Sequence, residues 1–392
     1  MHPQAYFGPA AGAATRFACL ATLVALVQLG ACTSGADSRA TSGAPRHLAS
    51  FSKEAKCTDC ELTLEPVVTL GASGAARVDF GEWPSVARSS GGRFVASAAR
   101  GTILIMFDSS GRELRRVGRA GDGPGEFRSI GPMHFGPGDT LYVKSGPGTV
   151  TTLDGELSIV DRFELLSDCQ LALPGGGLLC TGAKFDSASG IQQPLHRVDP
   201  AGQVLHSFGR RAADSTCLRC AVYLAAGGGD PSEGFWLLTA RDYRLERWSL
   251  EGALLDSIQV DSDWLPGAIR MIPGGPREGK ASGRVWGLQR TLDGMLLVFG
   301  STPTTDQQSG NSPQRGVRRM DVAQEGYASV IELLDPQTAV LASGRFPGQR
   351  LVPLAGGMAY SARYDDSGFV MIDVWKVRRG ARAKSIASPA SP

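Results

Sequence analysis

Between residues 61 and 379 the chain alternates short apolar runs with clusters of Gly, Asp, Pro and Ser, a pattern of short strands and tight turns. One signature recurs: a strand closing on Asp or a similar residue, a turn with Gly, then another strand. It reads Phe107-Asp108-Ser109-Ser110-Gly111, Leu153-Asp154-Gly155, Val198-Asp199-Pro200-Ala201-Gly202 and Leu250-Glu251-Gly252, with a weaker copy at Leu334-Asp335-Pro336-Gln337-Thr338. From Gly111 to Gly155 to Gly202 to Gly252 the intervals are 44, 47 and 50 residues. A period of about 40 to 50 residues with four strands per unit predicts a β-propeller, because one such unit cannot bury both faces of its sheet.

Five blades are expected to end near Gly118, Phe163, Gly209, Val260 and Gly344. The interval from Gly252 to Thr338 is 86 residues, lengthened by polar insertions at Trp264–Gly283 and Pro303–Gly326. A sixth blade has only three strands of its own: Leu351–Leu354, Met358–Ala362 and Phe369–Lys376. Leu64–Leu70 is expected to supply its outer strand, closing the ring and leaving no exposed gap. The fold class is therefore all-β, a six-bladed propeller of four-stranded antiparallel blades.

The N-terminus has another pattern. Arg16 precedes Phe17–Leu29, an almost wholly apolar run. That run is short against the roughly 20 residues that span a bilayer, and it suits the core of a signal peptide. Leu29-Gly30-Ala31-Cys32 follows, and it resembles the lipobox of bacterial lipoproteins. The resemblance implies a signal peptide over 1–31, cleavage before Cys32 and diacylation of its sulfur. Residues 32–60 then read as a flexible tether rich in Thr, Ser, Gly and Ala, and 380–392 as a disordered basic tail. The expected location is the cell envelope, by a lipid anchor in the membrane.

A second resemblance is carried by Gly118-Arg119-Ala120-Gly121-Asp122-Gly123-Pro124-Gly125-Glu126-Phe127, followed by Asp139-Thr140-Leu141-Tyr142-Val143. It looks like the turn motif of NHL-type six-bladed propellers, and covers roughly residues 61 to 379. Glu126 is read as capping a turn and Phe127 as packing between blades.

Strand alternation sorts the connections. In each blade, strands a to d run from the axis outward. Loops b–c and connections d–a share one face, here the loop face; a–b and c–d hairpins share the other, the turn face. Both blade 5 insertions, the Gly118–Phe127 segment and an expected loop at Lys184–Pro194 fall on the loop face. The tether enters, and the tail leaves, on the turn face. Lys376, Arg378, Arg379, Arg382 and Lys384 are the tail's expected cations.

Glycine makes up 51 of 392 residues, as many tight turns require. A formal net charge of +2 gives no footprint of a nucleic-acid binder. Beyond Cys19 and Cys32 there are six cysteines, and an even count in an exported chain favours disulfides among Cys57, Cys60, Cys169, Cys180, Cys217 and Cys220. The two CxxC pairs belong to opposite faces, which argues against one shared zinc site. Cys169 and Cys180 flank a turn at Pro174–Gly177, and their pairing depends on register.

The inner strands are read as Pro84–Ala87, Pro132–His134, Leu171–Leu173, Tyr223–Ala225, Trp286–Leu288 and Leu351–Leu354, without a carboxylate. No metal, cofactor or catalytic group is expected from them. Of the histidines, His47 falls in the tether, His196 and His206 on outer strands of blade 3, and only His134 near the axis. The leading functional reading is a monomeric binding or scaffold module whose loop face takes an envelope protein, a peptide or a glycan. The alternative is a hydrolase or lyase of the lactonase-like propeller type, working in the channel.

Overall fold

The structure is a computed structural model that describes residues 47–52, 57, 59–72, 78–146, 148–165, 168–186, 191–209, 222–225, 233–239, 243–265, 283–304 and 326–381. The chain divides into two units, residues 1–39 and 40–392, and every described residue lies in the second. Cys32, Cys217 and Cys220 lie outside the described residues, as do most of both insertions and the tail beyond 381.

Two strands precede the first blade, β1 (His47–Phe51) and β2 (Cys60–Leu70). Blade 1 is β3 (Val86–Arg88), β4 (Phe94–Ala98), β5 (Ile103–Phe107) and β6 (Glu113–Val117). Blade 2 is β7 (Ile130–Phe135), β8 (Leu141–Ser145), β9 (Thr149–Leu153) and β10 (Ile159–Glu164). Blade 3 is β11 (Asp168–Ala172), β12 (Leu178–Asp186), β13 (Ile191–Val198) and β14 (Val204–Phe208). Blade 4 is β15 (Val222–Ala225), β16 (Phe235–Thr239), β17 (Arg244–Trp248) and β18 (Leu254–Val260). Blade 5 is β19 (Arg284–Arg290), β20 (Leu296–Pro303), β21 (Tyr327–Asp335) and β22 (Ala339–Pro347). Blade 6 is β23 (Val352–Leu354), β24 (Met358–Tyr364) and β25 (Val370–Ala381), with β2 as its outer strand. The innermost strands β3, β7, β11, β15, β19 and β23 touch in ring order, and β23 returns to β3. This is a six-bladed β-propeller.

Burial explains the sequence pattern. The middle strands are covered by neighbouring blades on both faces, so they read as apolar runs without strict alternation: all five residues of β4, FVASA, are buried. The outer strand β6, ELRRV, is exposed along its centre. The core is correspondingly split into clusters, each shared by two neighbouring blades. Between blades 6 and 1, for example, Ile372 and Val374 meet Phe94 and Ile105.

The recurring turn has a common construction. In blade 1 the Asp108 carboxylate accepts the N–H groups of Ser110 and Arg112, both at 3.0 Å, and Gly111 N–H donates to Asp108 O at 3.0 Å. The Ser110 hydroxyl, donating at 2.6 Å, and then the Arg112 and Ser110 N–H groups hold the Asp108 carboxyl down at about 2. Asp154 and Asp199 repeat it, and Ser249 substitutes its hydroxyl. The glycine has a second task. A Cβ on Gly111, Gly202 or Gly252 would stand 2.7, 2.3 or 2.7 Å from Val68, Phe163 or Phe208 on the outer strand of the preceding blade. The c–d turns therefore stitch each blade to the last.

Several boundaries differ from the sequence reading. Residues 47–51 fall in the expected tether but form β1, running parallel to β18 with Phe51 opposite Val260. An open edge of backbone groups on β18 and the burial of Phe51 between blades 4 and 5 account for it. The ring-closing strand reaches back to Cys60, because Leu62 is buried between blades 5 and 6. Its partner β25 continues to Ala381, so Lys376, Arg378 and Arg379 are strand residues and not part of a tail. Arg378 pairs with Glu65 at 2.7 Å. The loop expected at Lys184–Pro194 is mostly strand, since β12 runs to Asp186 and β13 starts at Ile191. The inner strand of blade 3 starts at Asp168, earlier than expected, so one inner strand does carry a carboxyl residue.

Candidate functional site: the loop face

The Gly118–Phe127 segment crosses from blade 1 to blade 2 on the loop face. Gly123, Pro124, Gly125 and Glu126 make a tight turn: Glu126 N–H donates to Gly123 O at 3.0 Å, and Gly125 takes φ +75° at the third position behind Pro124. The Glu126 carboxylate turns back onto this loop, accepting Gly123 N–H at 2.8 Å and Arg119 Nε at 2.7 Å. The Gly123 N–H and then the Arg119 cation hold its carboxyl below the usual range. A Cβ on Gly121 would fall 2.0 Å from that carboxylate, and one on Gly118 would fall 2.8 Å from the Phe127 ring. Phe127 is buried among Val95, Leu104, Met133 and Leu141, between blades 1 and 2. Each motif residue thus has a structural task.

Beside this loop lies an open cleft of about 520 Å³, lined by Asp122, Arg128, Thr149, Arg162 and Glu164. One pair of its charges is neutralised locally and one cation is tied to backbone. Arg128 grips Asp122 with two nitrogens, and Arg162 donates to the backbone carbonyls of Asp122 at 3.0 Å and Glu126 at 3.3 Å.

A different arrangement occupies the inner rim of the same face, where the inner strands of blades 1, 5 and 6 begin. Arg350 precedes β23, Trp83 precedes β3, and Trp286 lies in β19. The Arg350 guanidinium stands 4.4 Å from the ring centre of Trp83 and 5.8 Å from that of Trp286. Trp286 is fixed by its indole N–H, which donates to Leu351 O at 2.9 Å. Below it, a Cβ on Gly287 would meet Pro353 at 2.4 Å, and Gln289 donates to Leu354 O at 2.6 Å, so blades 5 and 6 are locked together. The buried Tyr360 hydroxyl donates to Pro84 O at 3.1 Å, next to Trp83, and burial pushes its phenol up to about 12. Trp83 itself is 46% exposed. A rigid rim thus presents an indole backed by a cation.

The base of the first insertion is also built. Glu332 in β21 is buried and accepts the Trp264 indole N–H at 2.8 Å and the Tyr243 hydroxyl. Burial raises its carboxyl above the usual range, against the pull of these two donors. Gly300 makes room, since a Cβ there would strike the Trp264 ring at 2.4 Å.

His134 lies between blades 2 and 3. Its Nε2 is buried without a protein partner, facing a cavity of about 10 Å³, and burial lowers its pKa to about 4. A space of that size suits one water. His196 is buried and its Nδ1 is 2.9 Å from Ser207 Oγ, while His206 stacks on Phe208. Among the described residues, no group of three or more His, Cys, Asp or Glu is placed to hold a metal ion.

Among the described residues two disulfides are present, Cys57–Cys60 and Cys169–Cys180. The second rests on an irregularity. Ala172 pairs with Leu178 and Leu171 with Leu179, and a register shift at the next position then sets Cys169 opposite Cys180. A regular ladder would miss that pairing by one residue.

Neither the Arg350 stack nor the Glu332 cluster was visible in the sequence reading. Trp286 was read only as an apolar inner-strand residue, and Trp83, Arg350 and Glu332 carry no local signature.

No family model matches the chain, and no curated protein matches it either. Among solved structures, it resembles a member of the DUF4221 family from Bacteroides vulgatus, with TM-score 0.55 at 10% identity, covering 83% of this chain and 100% of that one. A Bacteroides fragilis protein considered exported matches with TM-score 0.53 at 11% identity, over 84% and 99% of the two chains. The likeness is one of fold.

Proposed function

We propose that this propeller is a lipid-anchored binding module of the cell envelope, with Cys32 as the lipidated residue and the loop face as the binding face. The observation that carries the reading is the half-exposed Trp83 indole with Arg350 stacked on it, held on a rim that blades 5, 6 and 1 make rigid. Rigid scaffolds that carry exposed aromatics on one loop-rich face are the usual setting for recognition. An indole beside a guanidinium suits a sugar ring or a peptide side chain that stacks, with a carboxylate nearby. Among the described residues, no group of three or more His, Cys, Asp or Glu placed to hold a metal ion supports the lactonase-like alternative. Strand direction supports the orientation: β2 starts on the turn face, β25 ends there, and β1 starts there because it runs parallel to the outer strand β18.

The test is site-specific photo-crosslinking in envelopes, with the photoreactive residue at position 83 on the loop face or at position 292 on the turn face. A defined envelope component captured from 83 and not from 292 supports the reading. Capture of the same set from both positions contradicts it.

A further inference from the structure

The exposed apolar side chains are not spread evenly. Among the described residues the large ones are Val67, Trp83, Leu114, Ile159, Val160, Val204, Leu205, Leu292 and Phe369. Leu114, Ile159–Val160 and Val204–Leu205 occupy the first two positions of β6, β10 and β14, immediately after the c–d turns. Leu292 is 98% exposed and sits in the a–b hairpin between β19 and β20. All six therefore lie at the turn face, whereas Trp83 and Phe369 lie at the loop face.

The five outer-strand residues belong to three consecutive blades. The glycine of the blade 3 turn packs on Phe163 of β10, and that of the blade 4 turn packs on Phe208 of β14. The blade 2 turn instead uses Leu157, at φ +59°, buried in the core shared with blade 1. The starts of β6, β10 and β14 thus follow one another along the rim. The next outer strand is β18, and there β1 begins, at His47 on the same face. The fifteen positions from Cys32 to His47 span at most about 50 Å when fully extended, which bounds the distance from an anchor at Cys32 to the start of β1 on this face.

We infer that the turn-face rim of blades 1 to 3, with Leu292, is a second membrane contact that lays the propeller against the lipid surface. The inference rests on the lipid-anchor reading of Cys32. The apolar side chains enter the interfacial layer, where Val160 at 65% and Leu205 at 58% exposure otherwise face water. Charges of both signs lie on this face: Asp108 pairs with Arg112 at 3.0 Å within the blade 1 turn, and Arg378 and Arg379 lie near the end of β25, so the contact assigned is an apolar one, made with zwitterionic lipid.

The experiment uses full-length protein in isolated bacterial membranes, a photoactivatable phospholipid and peptide mapping of the labelled sites. The expected labels fall on the peptides with Val160, Leu205 and Leu292, and not on those with Trp83 and Phe369. The triple variant Val160→Glu, Leu205→Glu, Leu292→Glu should lose about tenfold in labelling of those peptides while keeping the wild-type circular dichroism. A protein that resists alkaline washing of the membranes but carries no such labels, or carries them at Phe369, overturns the inference and leaves the anchor standing. Release by the wash instead defeats the anchor reading. Phosphatidylcholine vesicles added to the released protein then decide the face: the same labels support it and their absence overturns it. Stronger labelling on vesicles with anionic lipid contradicts the lipid assignment.

Discussion

The Glu332 carboxylate accepts the Trp264 indole N–H at 2.8 Å across 68 residues of sequence, tying the foot of one blade 5 insertion to the middle of the sheet that bears the other. Removal of the acceptor leaves this N–H and the Tyr243 hydroxyl buried without a partner. Glu332→Ala is expected to cost about 2 to 4 kcal/mol, the loss of two buried hydrogen-bond partners. Burial raises the Glu332 carboxyl, so the folded state holds its proton more tightly than the unfolded chain does. Its contribution is therefore greatest at low pH and falls as pH rises from the ordinary carboxyl range up to the raised value. Glu332→Gln should abolish that slope, which urea unfolding followed upward in pH from the ordinary carboxyl range would measure.

His134 acts with the opposite sign. Its pKa is lowered to about 4, so it is neutral in the fold and protonates more readily once unfolded. Stability should be intact above the ordinary histidine range, near 6.5, and fall as pH drops toward 4. His134→Gln should flatten this limb of the same profile, while NMR titration of the wild-type ring shows no protonation at pH 6.

The turn glycines predict a graded series. Gly202→Ala forces a Cβ to within 2.3 Å of the Phe163 ring at φ +87°, and should cost more than about 2 kcal/mol. Gly125→Ala has the same sign of φ, +75°, but nothing within 4 Å of the added methyl. Its cost should be the conformational one alone, about 1 kcal/mol. Equal costs in thermal unfolding would refute the stitching role of the c–d turns.

How far the sequence could be read follows from the same contacts. The Asp-capped turns are local, a carboxylate answering N–H groups two and four residues on, so the repeat and the six blades could be inferred from spacing. The borrowed outer strand was legible because Val67-Val68-Thr69-Leu70-Gly71 repeats the ending of other outer strands. The failures lie where partners are distant. The strand at His47–Phe51 pairs with residues some two hundred positions later, and HLASF has no alternation to announce it. Trp83 and Arg350 meet only because β23 and β3 are neighbours at the closure of the ring. The Cys169–Cys180 pairing needed a register shift that no turn rule supplies.

That pairing gives its own prediction. Non-reducing peptide mapping should recover Cys169 linked to Cys180 and Cys57 linked to Cys60. Joint replacement of Cys169 and Cys180 by Ser should lower stability by about 2 to 3 kcal/mol, as expected for a cross-link closing a loop of this size. Joint replacement of Cys57 and Cys60, which close a far shorter loop, should cost less.

The central claim is that the loop face recognises its ligand through the indole of Trp83. The most direct measurement is binding of the full-length protein to glycan and peptide arrays, with Trp83→Ala and Arg350→Ala beside the wild type. The account predicts a defined set of ligands that both variants lose by tenfold or more, roughly the worth of a stacked aromatic contact, while a control at Leu292→Ser binds as the wild type does. Ligand binding that survives Trp83→Ala unchanged would contradict it.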